Sequence, residues 1–144
     1  MGTGYFTQPS LCADRIVFVC EDDLWEVDSS GGQARRLTNS RSEIKTPYLD
    51  PSGKWIACCA KEEGDPDVYL MSADGGPLTR LTWLNSVTRI VGWTPDGSSI
   101  LFHSIHQAVH HRGSDAWLFK VGVDGGPVQR LPFGPAVSLS LIHI

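Results

Sequence analysis

The run HSIHQAVHHRGS, residues 103–114, holds the densest set of side chains able to do chemistry. His103, His106, His110 and His111 follow at spacings of three, four and one, and neutral imidazoles are common metal ligands. No cysteine or carboxylate is built into the same run, so its donors are imidazoles alone. The simpler expectation is a solvated loop: these four histidines are weak metal candidates, and no metal or other cofactor is expected.

Two acidic runs come next, Glu21-Asp22-Asp23 and Glu62-Glu63-Gly64-Asp65-Pro66-Asp67. Both read as hairpin ends in water; the alternative is a negative collar that attracts basic peptide termini. Asp23, Asp67 and Asp115 recur at one repeat position and read as acceptors for amides at the start of a strand. Serines are plentiful, but no G-x-S-x-G elbow occurs and nothing in the spacing supplies a base held by a third group. No catalytic residue is expected in this chain. Cys12, Cys20, Cys58 and Cys59 lack CxxC spacing, and neighbours on a strand point to opposite faces, so small buried thiols are expected.

The elements that position these groups follow from a repeat. DLWEVDSSGGQARRLT (23–38), DVYLMSADGGPLTRLT (67–82) and DAWLFKVGVDGGPVQRLP (115–132) share an aspartate, an aromatic two residues on, a Gly-Gly pair and an Arg-Leu pair. The Gly-Gly pairs begin at 31, 75 and 125, a period of 44 and then 50 residues. Such a period signals stacked supersecondary units. Ahead of the second and third copies stand the turns Asp50-Pro51-Ser52-Gly53 and Thr94-Pro95-Asp96-Gly97. Proline presets the second turn position and glycine takes the left-handed one, so each turn joins a short strand (44–49, 88–93) to an apolar one (55–60, 99–104). Each unit thus reads as four antiparallel strands, with Trp25, Tyr69, Trp117, Trp55 and Trp93 as packing aromatics. From isoleucine to aspartate the second-to-third-strand link runs 16 to 23, 56 to 67 and 100 to 115, which marks one rim as tolerant of insertion.

No stretch carries apolar residues at helical spacing for long enough to form a helix. The fold class is all-β: a partial β-propeller of about three four-stranded antiparallel blades plus the first strand of a fourth. Blade 1 covers about 5–38, blade 2 about 44–82, blade 3 about 87–132, and the fourth begins over 133–144, where Val137, Leu139 and Leu141 alternate. The chain stops where the next Pro-Gly turn falls due, so the array is expected to be truncated, and Leu141–Ile144 resemble translated adapter sequence. Open blade faces and edge strands make the isolated chain a candidate for low stability and self-association.

The net charge of −4, with twelve dispersed basic residues, offers no basic face for nucleic acid. No apolar run is long enough to cross a membrane, and the longest, IVFVC at 16–20, suits a buried strand. MGTGYFTQPS has neither the basic start nor the apolar core of a signal peptide, and it matches a myristoylation pattern poorly. A cytoplasmic location is expected.

The turn, the D-x-aromatic strand, the Gly-Gly pair and the R-L-T ending together resemble the TolB-type propeller repeat over about residues 5–142. More narrowly, DRIVFVCEDDLWEVD (14–28) resembles the opening blade of the tricorn protease family, and RLPFGPAVSLS (130–140) resembles the passage of that propeller into its next blade. The resemblance implies the N-terminal propeller of a large cytosolic serine peptidase. Further domains of that parent carry the active site, and this propeller acts as scaffold and peptide-routing gate. Peptides and the remainder of the parent chain are the implied partners, with a homo-oligomeric parent. The catalytic residues of that family do not carry over onto any position here. A protein-binding TolB-type propeller, or the propeller of a prolyl-oligopeptidase-type enzyme, would share the same repeat.

Overall fold

A computed structural model describes residues 5–39, 41–62, 64–106 and 116–133. Among these residues there is no helix, and twelve strands form three separate four-stranded antiparallel sheets. The first sheet holds β1 (Phe6–Cys12), β2 (Arg15–Cys20), β3 (Asp23–Asp28) and β4 (Arg35–Arg36). The second holds β5 (Glu43–Leu49), β6 (Trp55–Lys61), β7 (Asp67–Ser72) and β8 (Thr79–Arg80). The third holds β9 (Thr88–Trp93), β10 (Ser99–Ser104), β11 (Trp117–Gly122) and β12 (Gly125–Arg130). Within each sheet the spatial order is the chain order. This is the expected blade pattern; the fourth-blade strand lies outside the described residues.

Turn chemistry explains the strand ends. Glu21 and Asp22 both take positive φ (51° and 65°) between the paired Cys20 and Asp23, which makes the two-residue primed turn that matches strand twist. The Pro-Gly turns are tied by their own acids. Asp50 accepts the amides of Ser52, Lys54 and Trp55, while Asp96 accepts the Ser98 amide and the Thr94 hydroxyl. Gly53 and Gly97 close these turns at φ of 72° and 71°, the conformation that a side chain resists.

The innermost strands of the three sheets lie side by side, β5 between β1 and β9. Each is bulged: Gln8-Pro9, Thr46-Pro47 and Val91 fall at the breaks in register with the second strand. The bulges turn polar atoms toward the neighbouring sheet. The Thr46 amide donates to Gln8 Oε1 at 2.5 Å, the Ile90 amide to Thr46 Oγ1 at 3.3 Å, and Trp93 Nε1 to the Tyr48 carbonyl at 2.9 Å.

Apolar alternation along β2, β6 and β10 fills the space between sheets. Val17, Val19 and Leu24 of the first sheet pack on Ile44, Ile56, Cys58 and Met71 of the second. The opposite face of the second sheet, with Ala57, Cys59, Val68 and Leu70, packs on Ile90, Ile100, Phe102 and Phe119 of the third. Cys20, Cys58 and Cys59 are buried thiols, Cys12 is half-buried, and all four are free. Trp93 and Tyr69 are core residues as expected. Trp55 departs from that expectation: it is 46% exposed, at the first residue of β6 just past the Pro-Gly turn.

Candidate functional site

The repeated polar residues are the first candidates for a site, and their geometry makes them a staple. Asp23, 5% exposed, accepts the Thr38 hydroxyl at 2.7 Å and pairs with the Arg36 guanidinium. Thr38 Oγ1 in turn accepts the Leu24 amide at 2.9 Å. One period later Asp67 accepts Thr82 Oγ1 at 2.7 Å, Arg80 Nη2 at 2.6 Å and the Leu84 amide at 3.0 Å, while Thr82 Oγ1 accepts the Val68 amide. These carboxylates hold the third strand to the fourth. The acidic runs are therefore not wholly solvated hairpin ends: Asp23 and Asp67 turn inward because a threonine and an arginine wait there, whereas Glu21, Asp22, Glu62 and Asp65 stay in water. In the third unit Pro132 stands where a threonine would, and Arg130 instead lies over the Trp117 ring, its Cζ 3.5 Å from the centroid. Asp115 lies outside the described residues.

The histidines divide. His103 is half-buried near the end of β10, and His106 rests edge-on to Phe119 with ring centroids 6.3 Å apart. His110 and His111 lie outside the described residues. Among the described residues no three His, Cys, Asp or Glu side chains converge on one point that would hold a metal. Ser104, fully buried beside this run, shares hydrogen bonds with the Ser86 hydroxyl (2.8 Å) and the Thr88 hydroxyl (3.2 Å), and donates to the Val87 carbonyl (3.1 Å). His106 meets it through its backbone amide, at 3.1 Å, and among the described residues no imidazole is set to activate it.

A groove is what the rim does offer. It opens between the second and third sheets, beside the His103 end of β10, and encloses about 240 Å³. Glu43, Lys45 and Thr46 of β5 and Cys59 and Lys61 of β6 form one wall; Thr88 and Arg89 of β9 and His103 of β10 form the other. Three cations thus face one carboxylate in a chain whose net charge is −4. Lys45 is paired with Glu43, and its hydrogen bond holds the Glu43 carboxyl below the usual carboxylate range. Among the described residues Lys61 and Arg89 make no ion pair. Burial, and then the Arg89 charge, lower the pKa of His103 below its ordinary value, which favours its neutral imidazole. The Cys59 thiol donates to the Thr88 carbonyl at 3.3 Å, and burial pushes it up to about 11, far from a reactive thiolate.

Lys45, Lys61 and Arg89 were not singled out by the sequence reading, because they are scattered among twelve basic residues. A signal was nevertheless present. Lys45 and Arg89 are 44 residues apart, the spacing of the first two Gly-Gly pairs, so they occupy the same position on successive innermost strands.

Three bladelike sheets, laid side by side with their innermost strands adjacent, define a β-propeller segment. Residues 3–143 match the model of the tricorn protease N-terminal beta propeller domain, and the chain belongs to that family. It is 37% identical to a putative tricorn protease homolog 2 from Streptomyces coelicolor, over 94% of this chain and 12% of that protein. Among solved structures it is similar to the tricorn protease crystal structure, with TM-score 0.80 and 27% identity over 94% of this chain and 14% of that one. A putative TolB from Agrobacterium tumefaciens shares the fold, with TM-score 0.74 and 21% identity over 91% of this chain and 47% of that one. The chain spans about an eighth of the length of the first tricorn relatives, 12% in each case. No helix among the described residues is long and apolar enough to cross a membrane.

Proposed function

We propose that this chain is the N-terminal propeller portion of a tricorn-type serine peptidase, and that it serves there as non-catalytic scaffold and peptide-routing gate. The observation that carries this reading is the match over residues 3–143 to the N-terminal propeller of that family. It is supported by a rim whose loops differ in length while the blades keep their register, the usual division between a rigid scaffold and a selective surface. On this reading blade 1 covers about 5–38, blade 2 about 44–82 and blade 3 about 87–132, with 133–144 opening a fourth. The parent is a cytoplasmic homo-oligomer that takes peptides as substrates.

The coding sequence beyond codon 144 tests the proposal. A second propeller, a PDZ domain and a serine-peptidase domain are expected there. A G-x-S-x-G hydrolase domain would replace the reading with a prolyl-oligopeptidase-type enzyme, and the absence of any peptidase would leave a protein-binding TolB-type propeller. In the parent enzyme, removing residues 1–144 should slow hydrolysis of long peptides more than that of short chromogenic ones.

A further inference from the structure

The groove between the second and third sheets has a charge that the rest of the chain does not share. Lys61 and Arg89 approach it from opposite walls with no ion pair among the described residues, while Glu43, paired with Lys45 and set across the strands from Lys61, is the one carboxylate that lines the groove with these three cations. An excess of like charges held near one another raises the local affinity for an anion. The space of about 240 Å³ falls short of the ~300–1,000 Å³ of sites that enclose a whole small molecule. It suits one or two side chains. Pro66 and Val87 add apolar wall, so a carboxylate could enter on an aliphatic stem.

β5 and β9 lie against one another on the inner side, the Ile90 amide donating to Thr46 Oγ1, so an occupant meets the cations through its side chains and not as an added strand. An extended segment puts alternate side chains on one face, and an acid at every second residue would present repeated carboxylates to that wall.

We propose that this groove binds internal acidic side chains of extended peptides, with Lys61 and Arg89 as the principal contacts and Lys45 as a partly masked third. The proposal rests on the peptide-routing reading above and sharpens it to a substrate class.

The test uses the 144-residue chain and fluorescein-labelled hexapeptides of alternating Glu and Ala, acetylated and C-terminally amidated, followed by anisotropy at low salt. Expected are saturable binding, at least tenfold weaker binding in 0.5 M NaCl, and at least tenfold loss on Lys61→Glu or Arg89→Glu. Lys54→Glu, at the opposite end of β6, should change nothing, and Glu43→Gln should tighten binding by freeing Lys45. The same peptide with Gln in place of Glu requires no variant protein and should fail to bind. Equal binding of the Gln peptide overturns the proposal. So does equal weakening by Lys54→Glu, or binding seen only with an unamidated Gln peptide, which would mean recognition of the terminus. A parent gene without a peptidase domain would sink the routing role yet leave this binding intact; absent binding with a peptidase downstream would sink the groove alone.

Discussion

The Asp67 carboxylate takes the Thr82 hydroxyl at 2.7 Å, and forty-four residues earlier Asp23 takes the Thr38 hydroxyl at the same distance. Two residues that define the repeat in the sequence are thus one hydrogen-bonded unit in the fold. The unit exists because the fourth strand is too short to hold itself. β4 and β8 contribute only two residues each to their ladders, and the buried acid supplies the missing connection. In the third unit, where Pro132 replaces the threonine, β12 runs six residues straight from a tight hairpin.

Asp67→Ala should therefore destabilise the chain by about 2–4 kcal/mol, since it strips a buried hydroxyl and a guanidinium of their acceptor. Asp23→Ala should cost less, about 1–2 kcal/mol, because the Arg36 side chain is 45% exposed and water takes over part of the loss. Urea unfolding midpoints decide it. Losses no larger than for Asp124→Asn on the exposed third-sheet turn would show that the staple is decorative.

The Pro-Gly turns make a second, purely conformational prediction. A Cβ on Gly97 would meet Pro51 Cδ at 3.6 Å, an ordinary contact, so space is not the obstacle. The obstacle is φ of 71°. Gly97→Ala should cost about 1–2 kcal/mol, and Gly97→Asn distinctly less, because asparagine tolerates the left-handed region. Equal losses for the two variants in thermal melts would point to crowding instead of backbone conformation.

Those same turns made the blades readable in advance. Strands expected at 44–49 and 55–60 are observed at 43–49 and 55–61, and those at 88–93 and 99–104 agree to the residue. Proline and glycine act locally, so a turn can be read from four residues. What could not be read depends on pairing between distant segments. Asp23 and Asp67 read as acceptors for strand-start amides, but the Leu24 and Val68 amides go to the Thr38 and Thr82 hydroxyls, which these two acids hold in place. Thr46 gave no hint of its φ of 47°, which the bulge imposes where the Thr46 amide reaches Gln8 of the neighbouring sheet. The groove cations sit on three strands of two sheets, and only register brings Lys45, Lys61 and Arg89 together.

Asp50 links the turns to pH. Burial pushes its carboxyl up, but hydrogen bonds from the Ser52 hydroxyl and the amides of Trp55, Ser52 and Lys54 outweigh that and bring the pKa below its ordinary value. A depressed folded pKa stabilises the fold above the unfolded value of about 4, and that contribution drains away as pH falls through the folded one. The stability gap between wild type and Asp50→Asn should be full at pH 6 and shrink from about pH 5 downward. Asp96, held at about 2 by the Thr94 hydroxyl and the Ser98 amide and hydroxyl, should follow the same sign. Chemical denaturation at a series of pH values reads both, and a gap that stays constant to pH 2 contradicts the assignment.

The thiols offer the sharpest check on how the sheets pack. Cys58 and Cys59 are 0% and 2% exposed, on opposite faces of β6, and each faces a different neighbouring sheet. Burial raises both, Cys59 to about 11 and Cys58 further, so neither forms thiolate near neutral pH. Cys12 alone is partly open to solvent, its Sγ 3.7 Å from the Pro51 carbonyl between the first two sheets. Native protein treated with iodoacetamide at pH 7.5 should gain one label quickly, mapped to Cys12 by peptide mass spectrometry, and four labels once unfolded in urea. Rapid labelling of Cys59 would mean that the second and third sheets part in solution, and with them the walls of the cationic groove.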